Sequence, residues 1–217
     1  MLTAIVLLAG CEADNYESGN GEYSNMRADF ADAHTSNAKT LVNMMTDDGD
    51  SLVFKAPETC DWATTPDSVF RALVFYNKVE GGQAEIIGVQ QVLVPTIRPH
   101  YKVKEMKTDP LSIESTWKSR NNRYLNFGLN VLTGTVDDKD ARQTLGMICD
   151  TLVTGAEGRQ HLHLTMYHSQ NNIPEYYTTR VFLSIPLKNN PYHLRSGDTV
   201  SVSVNTYEGK VLKTFVY

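Results

Sequence analysis

The sequence predicts an all-β protein of two domains. Apolar residues alternate with polar ones at a period of two, in short runs bounded by Gly, Asn, Asp and Pro, as half-buried strands require. No segment carries the apolar stripe of an amphipathic helix over a useful length. The 217 residues suit two domains of about 100 residues each better than one. Hydrophobic content of 41% and charged content of 21%, with no low-complexity tract, fit folded domains rather than a disordered chain.

In the first half, a strand is predicted near Met26 to His34. Thr40 to Thr46 and Ser51 to Lys55 flank Asp47-Asp48-Gly49-Asp50, whose Asp-Gly pair supplies the positive φ of a tight hairpin. Val69 to Val79 and Ala84 to Val94 form a second hairpin around Glu80-Gly81-Gly82-Gln83, apolar enough to be covered on both faces for part of its length. Five strands in so short a stretch suit a small OB-like barrel, placed at residues 23–108.

Pro95, Pro99 and Pro110, with the charged run Lys102 to Lys107, interrupt the strand pattern, and the domain boundary is placed between about Lys107 and Ser112. Beyond it, Leu125, Phe127, Leu129 and Val131 are predicted to face a core, with Asn126, Gly128 and Asn130 on a wet face. The same alternation runs through Leu162, Leu164 and Met166, through Val181, Leu183 and Ile185, and through Val200, Val202 and Val204, before a last strand from Val211 to Tyr217. Six or seven short strands separated by turns describe an antiparallel β-sandwich over residues 109–217.

Leu2 to Gly10 is a short apolar run, well below the ~20 residues of a membrane span. Leu8-Ala9-Gly10-Cys11 resembles the lipobox of bacterial lipoproteins, which implies cleavage before Cys11 and lipid attachment to it. Residues 1–11 then read as a lipoprotein signal peptide with its lipidated Cys, and the polar, glycine-bearing residues 12–22 as a flexible tether. No Lys or Arg precedes Cys11, so the true start is expected upstream of Met1. Glu12, Asp14 and Glu17 look like an export signal, which places the expected location at the outer membrane, on its surface-exposed side. The membrane is thus the first expected partner, through a lipid anchor.

His161 to Leu187 resembles the C-terminal β-sandwich of the NigD-like lipoproteins, where a strand ends in Tyr-His, a polar loop follows, and Pro-Glu-Tyr opens the next strand. Here these are Tyr167, His168, the loop Ser169 to Ile173, then Pro174, Glu175 and Tyr176. Tyr124-Leu125-Asn126-Phe127 and the Asp48-Gly49 hairpin also fit this family, whose N-terminal domain is OB-like. The resemblance implies an architecture and an envelope location. It brings no catalytic residue, and these five motif residues are expected to be structural.

His161 and His163 share a strand face about 7 Å apart, a spacing some metal sites use, but no third ligand is placed by sequence, and both are read as solvated. Asp47 to Asp50 and Asp137-Asp138-Lys139-Asp140 lack the spacing and closing Glu of a calcium loop and are read as solvated turns. No metal and no cofactor is expected. Cys60 and Cys149 fall in different predicted domains and are read as separate reduced thiols. His168 is expected to be structural, bonding Glu175 and the backbone of Asn171 or Asn172.

No nucleophile elbow, phosphate loop or His-Glu-x-x-His helix is present, so the chain is read as non-enzymatic. The net charge of −5 divides unevenly: residues 12–107 hold 9 Lys+Arg against 15 Asp+Glu, and residues 108–217 hold 11 against 10. Neither balance describes a phosphate-binding surface, and an acidic OB-like domain speaks against nucleic acid. The expected function is a binding or shielding module of the cell envelope with a protein or glycan partner. A structural accessory subunit of an outer-membrane complex is the alternative, and a glycan or peptide hydrolase the third reading.

Overall fold

The computed structural model describes residues 26–79, 81–136, 141–155, 157–188 and 190–217. The readings on Cys11, the tether and Asp137 to Asp140 lie outside the described residues. The chain is all-β, as its alternation predicts, with a closed barrel and a two-sheet sandwich.

The barrel is made of β1 (Met26–Asn37), β2 (Thr40–Thr46), β3 (Ser51–Thr59), β4 (Val69–Val79) and β5 (Gln83–Gln91). They close in the order β1-β2-β3-β5-β4, with β3 and β5 meeting in parallel at Val53–Gln83 and Phe54–Ala84. Small residues at Ala31, Ala33, Ala72 and Ala84 leave room in the interior for Leu41, Met44, Leu52, Phe54 and Tyr76. Full burial of such a side chain contributes about 1.5–3 kcal/mol. Gly49 turns the β2–β3 hairpin at φ +93°, the conformation its sequence promised.

The sandwich follows with β6 (Ile97–Pro99), β7 (Ser112–Lys118), β8 (Tyr124–Thr133), β9 (Thr144–Thr154), β10 (Gln160–Ser169), β11 (Tyr177–Pro186), β12 (Thr199–Thr206) and β13 (Gly209–Val216). One sheet runs β13-β12-β10-β9-β6 and the other β11-β8-β7. Between them lie Leu125, Phe127, Leu129, Met147, Leu162, Leu164, Met166, Leu183, Ile185 and Val202, all buried. Most pairings are antiparallel, but β10–β12 and β6–β9 are parallel. The first arises because β11 crosses to the opposite sheet between them.

Two findings depart from the expectations. Asn126 and Gly128 do not face water: the barrel sits on that side of the sheet, and both are buried. Phe30 of β1 meets Trp117 and Phe182 edge-on, at centroid distances of 5.0 and 5.2 Å. Gly128 leaves the space beside Phe182, since a Cβ there would lie 3.4 Å from that ring and 2.5 Å from Ser115 Oγ. Secondly, the stretch between the barrel and β7 is docked on the sandwich along its length. Leu93 bonds Phe182 and Ser184 through its backbone, Ile97–Pro99 pairs with β9, Thr108 bridges to His168, and Leu111 bridges to Thr206.

Candidate functional site

Three places gather polar side chains, and they do different things. The first is the joint between barrel and sandwich. Arg71, on the outward face of β4, is 4% exposed. It holds Asp47 through both terminal nitrogens, at 2.8 and 2.5 Å, and Asp32 at 3.5 Å. Across the joint its Nε donates to Ser184 Oγ at 3.3 Å and Nη2 to Asn126 Oδ1 at 3.4 Å, while its guanidinium lies 4.1 Å from the Tyr124 ring centroid. Asp32 also accepts from Tyr124 at 3.1 Å and has Arg123 at 2.6 Å on its second oxygen. That second contact is an ion pair by distance, without the alignment of a hydrogen bond. Burial, and then the Asp32 charge, push the Tyr124 phenol up to about 12, so it remains a donor.

The Asp47 to Asp50 turn is solvated at Asp48 to Asp50, as read from sequence, but not at Asp47. Asp47 turns inward to Arg71, Asp48 meets Arg120 at 3.3 Å, and Asp50 meets Lys78 at 2.7 Å. The hydrogen bond and charge of Lys78 hold Asp50 below the usual carboxylate range. Asp47 alone leaves water, for a cation that sequence spacing did not reveal, while Asp48 and Asp50 make exposed surface pairs.

The second place is the mouth of the Ser169 to Glu175 loop. His168 is buried at the end of β10, facing the sandwich core side. Its partners are not Glu175 or the loop backbone: Nδ1 lies 2.9 Å from the Asp109 carbonyl and Nε2 lies 3.0 Å from Gln143 Oε1. Its backbone N–H donates to the Lys107 carbonyl, and its carbonyl accepts from Asp109. The imidazole thus ties the interdomain stretch to β10, which is why its partners are long-range. Asn171 and Asn172 carry the loop through two left-handed residues, a conformation Asn tolerates. Pro174 and Tyr176 pass over Gly134, where a Cβ would lie 2.9 Å from each, and the Tyr176 N–H donates to Thr133. Glu175 lines a shallow cavity with Lys107 and Asp109, and Tyr176 is exposed.

The third place is the outer face of the five-stranded sheet. His161 and His163 sit there, half-exposed, with rings stacked at 3.8 Å and His161 Nε2 2.8 Å from Ser201 Oγ. Burial, with the nearby His163 charge, holds His161 below its ordinary value. Among the described residues no three His, Cys, Asp or Glu side chains converge as metal ligands. Cys60 and Cys149 are both free and buried, and burial, then Glu58 and Asp61, pushes the Cys60 thiol up to about 11.

Further along this face a groove of about 550 Å³ opens between β6, β9, β10 and the segment Lys102 to Glu105. Tyr167 and Gly146, paired across β10 and β9, line it together with Ile148. Ile148 is 3% exposed although it stands outside the core cluster. Arg98, Lys102 and Lys104 line the groove, exposed and without an ion-pair partner among the described residues, while Glu105 is engaged by Lys107 at 2.5 Å. Sequence reading treated Lys102 to Lys107 as an interruption and missed this cluster. The signal available was a local excess of cations in an otherwise acidic half.

The NigD-like C-terminal beta sandwich domain family matches residues 94–217, the stretch that starts just before β6. No curated protein matches the chain. Among solved structures, a NigD-like immunity protein of Bacteroides caccae aligns with a TM-score of 0.65 at 20% identity, over 88% of this chain and 96% of that one. A candidate toxin-related protein of Parabacteroides distasonis gives 0.63 at 20% identity, over 88% and 93%. A candidate lipoprotein of Bacteroides fragilis gives 0.58 at 12% identity, over 88% and 96%. At these identities the likeness concerns the fold, barrel and sandwich together. With more than half of its residues matched by the family's domain, this chain belongs to the NigD-like family.

Proposed function

We propose that this protein is a non-enzymatic module of the cell envelope, lipid-anchored through Cys11 on the exposed side of the outer membrane, that binds or shields a macromolecule. The observation that carries this reading is the groove itself: an open, preformed surface lined by an aromatic ring and three cations with no ion-pair partner among the described residues, on a body stiffened by a buried joint. In the third polar site Ser201 Oγ meets His161 Nε2 at 2.8 Å, but Ser201 is buried and is also bonded to Thr214, and the buried groups of the other two sites hold elements together. The description of the Bacteroides caccae structure as an immunity protein, and of the Bacteroides fragilis one as a candidate lipoprotein, agrees with shielding at an envelope. Capture from intact cells tests it: the protein should retain a partner from outside the membrane, and Cys11→Ala should release it into the soluble fraction. A Cys11→Ala protein that stays with washed membranes defeats the anchor. Failure to retain any external component defeats the binding role.

A second reading, a structural accessory of a larger envelope complex, is favoured by one feature. Among the described residues β13 pairs with β12 alone, at the end of its sheet, and it exposes Leu212 and Val216. Such an edge accepts a further strand from a resident partner.

A further inference from the structure

We infer that the groove beside β6 is a site for an acidic polysaccharide, whose anionic groups meet Arg98, Lys102 and Lys104 while a sugar ring lies against Tyr167. The inference rests on the binding-module reading and names its ligand class. The charge is the first argument. Between residues 98 and 107 there are four Lys or Arg and one acid, Glu105, in a chain of net charge −5. Lys107 takes that acid, so the other three cations line the groove with no ion-pair partner among the described residues. In the barrel, by contrast, Arg27, Lys39, Lys55, Arg71 and Lys78 each have a carboxylate partner. Cations gathered along one concavity focus their field on it and draw anions from solution.

The groove's lining is the second argument. Tyr167 stands opposite Gly146, where an added Cβ would be in ordinary contact at 3.6 Å from Tyr167 Cβ, so the position directly across on β9 presents nothing larger than hydrogen to the ring. Ile148 and Val103 extend the apolar surface, and Thr96 and Thr144 supply hydroxyls. An apolar strip rimmed by hydroxyls and cations matches a sugar ring, which has apolar C–H faces and a polar edge. The volume falls within the range of about 300–1,000 Å³ usual for ligand sites. An acidic peptide fits less well. β6 offers three residues at the sheet edge, and Pro95 and Pro99 lack the N–H that an added strand would need.

The test is affinity electrophoresis of the full chain carrying Cys11→Ala, in gels containing polygalacturonate, chondroitin sulfate, neutral dextran or poly-glutamate. Retardation by polygalacturonate or chondroitin sulfate, with none by dextran, is expected, and it should weaken with added salt. The triple variant Arg98→Ser, Lys102→Ser, Lys104→Ser should bind about tenfold more weakly. Tyr167→Ala, with every cation in place, should weaken binding by roughly fivefold or more, as loss of an aromatic contact does. Absence of retardation by both glycans overturns the inference. So does poly-glutamate binding as tightly with Tyr167→Ala indifferent, since the site then serves acidic peptide. A triple variant that loses the glycans yet still retains its external partner on cells shows the partner to be of another class, and leaves the binding-module reading intact.

Discussion

Arg71→Met separates a dry, load-sharing joint from a loose contact between two domains. The substitution keeps an unbranched apolar stem and removes the guanidinium, whose side chain is 1% exposed. Asp47 then loses both of its bonds to Arg71 and keeps only the Asn121 amide at 3.2 Å. Asp32 keeps Arg123 and Tyr124. Removing one member of a buried ion pair costs about 3–5 kcal/mol, because the remaining charge stays desolvated. The partners left to Asp32 place this case near about 3 kcal/mol by the same scale. With a urea m-value of about 2 kcal/mol/M, that shifts the unfolding midpoint down by about 1.5 M. Fluorescence offers a reporter on each side, Trp62 packed on the barrel core and Trp117 at the joint against Phe30. Wild type should give one transition by both, and Arg71→Met an earlier loss at Trp117. Adding Asp47→Asn removes the stranded charge and should recover more than half of the loss. A midpoint change worth less than about 1 kcal/mol would refute the argument, since that is the scale of a solvated surface pair.

Three further outcomes are expected. His168→Ala leaves the half-buried Gln143 oxygen and Asp109 carbonyl without their partner and should cost about 1–3 kcal/mol in urea unfolding, where no loss would mean water replaces the ring. A fragment of residues 92–217 should melt cooperatively by circular dichroism, whereas 112–217 should not. The shorter one lacks Ile97 and Leu111, each worth about 1.5–3 kcal/mol, so equal melting temperatures would show that the docked stretch contributes nothing. The third concerns pH: the folded value of His161 is depressed, so the unfolded chain takes up the proton first as pH falls. Its contribution is complete above the ordinary value of 6.5 and declines as pH drops through the lowered one. Thermal midpoints from pH 8 to pH 5 should fall less steeply in His163→Ala, which removes the like charge, and an unchanged slope would contradict this.

The barrel was legible because its signals are local. Asp48-Gly49 fixes one hairpin, Gly81-Gly82 another, and alternation between them sets which residues enter the core. Burial on a strand's second face is not local. Asn126 and Ser184 look like outward residues on alternating strands, and they are wet until another domain lands on them. Their partner Arg71 lies more than fifty residues earlier and reads alone as an outward charge on a strand. The Asp47 turn misleads in the same way. Three carboxylates in a tight loop describe a solvated turn, which Asp48 and Asp50 keep, until β4 delivers Arg71 to Asp47.

The groove was hidden by a different cause. An antiparallel hairpin announces itself through its turn, but β6 joins β9 in parallel, and a parallel pair has no connecting turn to read. The register Ile97–Met147, Arg98–Ile148 and Pro99–Cys149 is what carries Arg98 and the following cations onto the sheet's outer face. Without it, Lys102 to Lys107 is a charged run between prolines, indistinguishable from a linker. Summing charge over a predicted domain compounds the error, because the −6 of residues 12–107 averages acidic residues 12–22 and an acidic barrel with a short cationic segment that packs on the other domain. Net charge excludes a ligand only when the charges share a surface. Here each cation of the barrel meets a barrel carboxylate, and the one acid between residues 98 and 107, Glu105, is held by Lys107.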